Sequence, residues 1–186
     1  MNALIHLLKK YGPLTPEIES EISRRTHYIS KHKNDFFLKQ GQVTTSLLVM
    51  EKGLIRAFFT KDDKEYNTWF AKEDEMISSI LPLYANKPSI ENIQFLEDAT
   101  GYFISINDLN DLYKKYPQMD TIGRKIAEEL CITLEERITS LHTESAEERY
   151  HTLIRQFPYL RQRISLGHIA SFLGITQETL SRIRKR

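Results

Sequence analysis

The apolar positions along the chain change period twice. Residues 2–10 and 16–25 read as short helices, and the second opens on Thr15-Pro16-Glu17, where the hydroxyl caps and proline suits the first helical position. From about Tyr28 the pattern becomes short runs of β-branched and aromatic residues at 36–41, 47–53, 54–59, 65–70, 91–96 and 100–106. Gly41-Gln42, Lys52-Gly53 and Lys61-Asp62-Asp63-Lys64 separate the earlier runs, and such turn formers between strand-like segments predict a sandwich or barrel. Asn107-Asp108 then reads as the cap of a short helix reaching Tyr113, and Pro117 opens the next segment.

Helical period returns at Ile122, Ile126, Leu130, Leu134, Ile138 and Leu141, an apolar stripe flanked by Arg124-Lys125, Glu128-Glu129 and Glu135-Glu136-Arg137. So long and narrow a stripe suits pairing with a second copy across a two-fold axis; packing on the chain's own strands is the alternative. Ser145 and Glu148 fit a capping box for a helix over 146–156 whose apolar face is Tyr150, Leu153, Ile154 and Phe157, and Pro158 stops it. Ser165 is placed to cap a helix carrying Leu166, Ile169, Ala170 and Leu173. Gly174-Ile175-Thr176 interrupts, and Leu180 and Ile183 resume the period on a second helix capped by Thr176. A small residue at the crossing, a glycine at the turn and apolar closing positions together predict a helix-turn-helix more strongly than an ordinary helical hairpin. Its outward residues, Gln177, Glu178, Ser181 and Arg182, are the expected base-reading set in a major groove. Thr176, Thr179, Arg184, Lys185 and Arg186 are expected on phosphates.

With 186 residues, 40% of them hydrophobic, the chain has room for one large or two small domains. No apolar run reaches transmembrane length and the first residues do not form a signal peptide, so a cytoplasmic protein is expected. The net charge of +1 is unevenly placed: residues 146–186 hold eight Arg/Lys against three Glu, which leaves −4 for the rest. A basic segment that coincides with the helix-turn-helix is what a phosphate-binding module shows. The single cysteine, Cys131, excludes an internal disulfide, and its helical setting suggests a buried small hydrophobe. Six histidines, at 6, 27, 32, 142, 151 and 168, form no His-x-His pair, and no phosphate loop or nucleophile elbow is present. No catalytic or metal site is therefore expected, and a cupin-like metal enzyme is a remote alternative.

Thr176-Gln-Glu-Thr-Leu-Ser-Arg182 resembles the recognition helix of the Crp/Fnr superfamily of bacterial transcription regulators. Upstream, Leu38-Lys-Gln-Gly-Gln42 and Leu48-Val-Met-Glu-Lys-Gly-Leu-Ile-Arg56 are similar to the opening of a cyclic-nucleotide-binding β-roll, with Gly41 and Gly53 at tight turns. The resemblance implies an α+β fold: a double-stranded β-helix, or jelly-roll, sensor over 1–116, a dimerisation helix over 117–144 and a helix-turn-helix domain over 145–186. It further implies a homodimer built on Ile122, Ile126, Leu130, Leu134, Ile138 and Leu141, with a palindromic duplex and RNA polymerase as partners. The ligand segment departs from the pattern. Ser78-Ser79 stands where the family's cyclic-nucleotide binders have Gly-Glu, Ser89-Ile90-Glu91 stands where they have an Arg segment, and no arginine lies between Arg56 and Arg124. Lys87 cannot reproduce a bidentate fork on phosphate and Glu91 would repel one, so cyclic AMP is not expected and no cofactor is assigned. Ser78, Ser79, Tyr84, Asn86 and Ser89 are the candidates for a different effector pocket, or simply polar residues of a surface loop. A second functional alternative is a sensor or protein-interaction module with this fold that has lost DNA reading.

Overall fold

A computed structural model describes residues 2–185. The chain divides into two compact units, one of residues Met1–Ala57 with Phe70–Glu128, the other of Phe58–Trp69 with Glu129–Arg186. This division places the hairpin at 58–69 with the C-terminal helices and cuts the long helix between residues 128 and 129.

In the first unit two helices, α1 (Ala3–Lys9) and α2 (Pro16–Arg25), precede the strands. Thr15 caps α2, its side chain accepting from the Ile18 N–H at 3.3 Å, with Pro16 at the first position. The strands are β1 (His27–Lys31), β2 (Phe36–Leu38), β3 (Ser46–Lys52), β4 (Ile55–Lys61), β5 (Lys64–Ala71), β6 (Met76–Ile77), β7 (Asn92–Phe95) and β8 (Ala99–Ser105). They form two four-stranded sheets in the orders β1-β8-β3-β6 and β2-β7-β4-β5. The predicted runs are these strands, joined by β1 and the two-residue β6, which were too short or too polar to stand out.

Alternation along β3 explains how the layers hold. Leu47 and Val49 are buried with α1, α2 and α4 (Ile106–Lys115), while Leu48 and Met50, on the opposite face, are fully buried within the roll. Gly53 makes the β3–β4 turn possible: it sits at φ 98°, and a Cβ there would lie 2.7 Å from the Ala99 Cβ. Ser105, rather than Asn107 or Asp108, caps α4, because its hydroxyl accepts from the Asp108 N–H at 3.0 Å. Helix α5 (Pro117–Thr143) begins in this unit, with Met119 and Ile122 buried in the same core and Ile126 packed against it. Between Ile80 and Ala85 lies α3, which ends on Asn86 at φ 50°.

The second unit holds the rest of α5 and α6 (Ala146–Gln156), α7 (Leu160–Arg163), α8 (Leu166–Leu173) and α9 (Gln177–Arg184). Both halves of the Ser145–Glu148 capping box form. Tyr150, Leu153, Ile154, Leu160, Ile164, Ile169, Ala170, Leu173, Leu180 and Ile183 are all buried. Phe157 is not part of that face: it is the C-cap of α6 and is 36% exposed.

Candidate nucleic-acid interface

The turn between α8 and α9 is fixed by backbone chemistry. Gly174 takes φ 70°, ψ 30°, the Ile175 N–H donates to Ala170 O at 3.0 Å, and the Gly174 N–H to Ser171 O at 3.2 Å. This pair of bonds is a Schellman ending, and it redirects the chain without leaving those carbonyls unbonded. Ala170 is buried at the crossing, as its size requires. Ser165 caps α8, accepting from the His168 N–H at 3.2 Å. Arg149 reaches from α6 to the C-terminal carbonyls of two helices, donating to Glu144 O at 2.6 Å and Leu173 O at 3.2 Å, where a cation suits the negative end of each dipole.

Helix α9 is anchored by Leu180 and Ile183, so its opposite face is free. Gln177, Glu178 and Arg182 are exposed and Ser181 is half-buried beside them. Thr176 caps the helix through the Thr179 N–H at 3.2 Å, and the two threonine hydroxyls bond each other at 3.1 Å. Thr179 also accepts from Arg182 at 3.3 Å, so its hydroxyl already has two partners within the helix. Bonds from its own backbone N–H and from Thr176, with the Arg182 charge nearby, hold the Glu178 carboxyl below the usual carboxylate range. The face therefore presents an acceptor and, one turn later, a guanidinium on the same side. Arg184 and Lys185 are exposed, and Arg186 lies outside the described residues.

The effector candidates do not converge. Ser78 donates to Ser46 O at 2.9 Å, Tyr84 is 67% exposed, and the left-handed Asn86 ends α3. Only Ser79 and Ser89 are buried together: the Ser89 hydroxyl lies 3.0 Å from that of Ser79 and 2.8 Å from Glu91 O, and the Ser79 hydroxyl lies 3.4 Å from a Glu91 carboxylate oxygen. Sequence reasoning missed Arg56, which is buried and donates to the Gln94 side-chain oxygen from Nε at 3.1 Å and from a terminal nitrogen at 2.7 Å. Its place among the apolar residues of Leu54-Ile-Arg-Ala-Phe58 was the available signal.

The expected dimer stripe splits in two. Ile122 is buried in the core of its own unit, which takes it off a dimer surface, and Ile126, half-buried, packs against that core. Leu130 is half-buried, whereas Leu134, Ile138 and Leu141 are 41%, 58% and 45% exposed. Cys131 is likewise exposed, not a core residue. Ile122, Ile126, Leu130, Leu134 and Ile138 are spaced by four, and at 3.6 residues per turn each such step rotates the face by about 40°, so residues that seem to share one stripe in sequence come to face different neighbours. The exposed row is Ala127, Cys131, Leu134, Ile138 and Leu141, with alternating steps of four and three. Among the described residues no helix is long and apolar enough to cross a membrane.

No protein-family description matches the sequence, and no curated protein does. Solved structures do. FixK2 from Bradyrhizobium japonicum superposes with a TM-score of 0.72 at 18% identity, covering 86% of this chain and 83% of that one. A CooA variant from Carboxydothermus hydrogenoformans gives 0.71 at 16%, over 100% of this chain and 83% of its own. A protein of Eubacterium rectale, described as a transcriptional regulator of the Crp/Fnr family, gives 0.70 at 16%, over 95% and 86%. The chain thus has the fold of a β-roll joined by a long helix to a helix-turn-helix. That is the fold of the Crp/Fnr regulators.

Proposed function

We propose that the chain is a dimeric, cytoplasmic DNA-binding transcription regulator of the Crp/Fnr type that works without cyclic AMP and performs no enzymatic chemistry. The observation that carries this reading is the face of exposed Gln177, Glu178 and Arg182, with half-buried Ser181 beside them, on a helix held by two buried apolar anchors and a glycine turn. Arg182 donates two bonds to guanine O6 and N7, Glu178 accepts from a cytosine amine, and Gln177 takes an adenine or a phosphate; each good bidentate contact gives about 1–3 kcal/mol of discrimination. Thr176, Thr179 and the α9 N-terminus, with Arg184, Lys185 and Arg186, hold the backbone. A glutamate on this face would be repelled by phosphate alone, which favours base reading over non-specific adhesion. Two chains pair through Leu134, Ile138 and Leu141, with Ala127 and Cys131 in the same seam, and present two recognition helices to half-sites about 34–36 Å apart. RNA polymerase is the further partner on which such a regulator acts.

Independence from cyclic AMP rests on the segment where the ligand would lie. Ser79, Ser89 and Glu91 bond one another, and Arg56 of β4 is engaged by Gln94 of β7. Calorimetry with cyclic AMP is expected to give no saturable heat; a clear saturable signal overturns that part of the reading. The test of the whole is selection of bound duplexes from a random pool at near-physiological salt, because at low salt the phosphate contribution alone can mimic affinity. Enrichment of a palindrome supports the reading. Recovery of no preferred sequence, from a folded dimer, refutes it.

A further inference from the structure

The hairpin of β4 and β5 is gripped by the first helix of the helix-turn-helix. Its turn is Asp62-Asp63, both left-handed at φ 51° and 57°, and Phe59 stacks on Tyr66 with ring centroids 5.1 Å apart. β5 is the last strand of its sheet, so one side of it lacks a neighbouring strand. On that strand Glu65 and Asn67 stand two apart, the spacing at which a carbonyl and an N–H point to the same side. One hydroxyl serves both: Ser171 of α8 donates to Glu65 O at 2.6 Å and accepts from the Asn67 N–H at 3.0 Å. The Asn67 side chain is buried and its amide lies 3.5 Å from His168 O. Arg137 of α5 completes the clasp. It lies over the Phe172 ring at 3.9 Å and donates to Thr68 O, to Asn67 O at 3.5 Å and to Phe172 O at 3.4 Å.

We infer that this hairpin is a strap that holds the DNA reader in its binding-competent state, with Ser171, Asn67 and Arg137 as positioning residues that themselves touch no base. The inference rests on the DNA-reading function proposed above. The grip falls on α8 and leaves Gln177, Glu178 and Arg182 exposed, so the strapped state is one in which reading is possible. The hairpin is also continuous in the chain with residues 55–57 and 70–71 of the β-roll unit, which makes it a second covalent route between the units besides α5. A reader that is competent only part of the time binds more weakly by that fraction.

The experiment compares wild type, Ser171→Ala and Ser171→Thr, the last keeping the hydroxyl. Binding to the selected palindrome is measured together with backbone hydrogen exchange over 65–68, with and without duplex. Ser171→Ala removes both bonds to the strand edge, so exchange at 65–68 is expected to quicken and palindrome affinity to fall by about five- to tenfold, at roughly one hydrogen bond's contribution. Threonine is expected to restore both. By linkage, duplex must slow exchange of the same amides in the wild type. Faster exchange in Ser171→Ala with unchanged affinity overturns the proposal, since the grip would then be structural only; raised affinity overturns it by making the strap an inhibitor; unchanged exchange overturns the grip itself. A wild type that binds no duplex sinks the DNA-reading function and the strap's role with it, whereas normal wild-type binding with unaffected variants sinks the strap alone.

Discussion

Replacing Arg182 by alanine separates base reading from charge. The side chain is exposed and the anchors on either side of it, Leu180 and Ile183, are untouched, so the helix should survive. Thr179 loses one partner but keeps the Thr176 hydroxyl at 3.1 Å, and the cap on the first turn is retained. In the free protein one guanidinium nitrogen rests on Thr179 at 3.3 Å, and the remaining donors are available for guanine. A lost bidentate contact costs about 1–3 kcal/mol, and a palindrome has one in each half, so the specific complex should weaken by about 2–6 kcal/mol, roughly 30-fold to 10⁴-fold. A random duplex loses only the general attraction of one charge per chain, and if Arg182 touches no phosphate the slope of log affinity against log salt stays put; a phosphate contact would lower it by about 0.9 per chain. Fluorescence titrations of the palindrome and a scrambled duplex at two salt concentrations read all of this. Equal losses on both duplexes, with a reduced slope, would show that Arg182 holds phosphate and refute the base-reading argument.

The remaining expectations touch other levels of the molecule. Ile138→Asp places a charge in the exposed seam without disturbing any buried residue, so sedimentation should show monomers with unchanged helix content; persistence of the dimer mass would put the interface elsewhere. Gly53→Ala combines a left-handed backbone, costing about 1–2 kcal/mol, with overpacking against Ala99, costing about 1–3 kcal/mol, and should lower the urea midpoint of the roll; an unchanged midpoint would mean that the turn can rearrange. The Glu178 carboxyl should titrate below the ordinary value of about 4.3 in an NMR experiment, and Thr176→Ala should move it back up. Because its folded-state value is depressed, its contribution to the first turn of α9 is complete above the unfolded value and is lost only as pH falls through the folded one. A midpoint unaffected by Thr176→Ala would show that the hydroxyl does not hold the carboxylate.

What the sequence revealed is mainly what is local. The caps at Thr15, Ser145, Ser165 and Thr176 each join residues three apart, and a hydroxyl followed by a helical period is visible in a window of that size. Gly174 was equally plain, since few residues tolerate its backbone angles. The α5 stripe misled because period shows that a face is apolar but not what covers it, and the first turns were taken by α1, α2 and α4 of the same unit. Ser78, Asn86 and Ser89 fall in one short polar stretch of the sequence yet have separate tasks as a strand bond, a helix ending and a buried cluster, a division that no local pattern shows. The Ser171 bridge joins residues 104 and 106 positions apart and depends on which strand ends the sheet, so no local pattern could have announced it.

The exposed seam from Ala127 to Leu141 spans only about two heptads, short for a self-sufficient coiled coil. In the proposed pairing, association is then weak enough to track the amount of protein in the cell. Operator filling would rise with roughly the square of chain number at low expression, so a modest change in synthesis or turnover becomes a sharper change in occupancy. The brevity of one helix face would thus set a dosage threshold, independent of any small molecule.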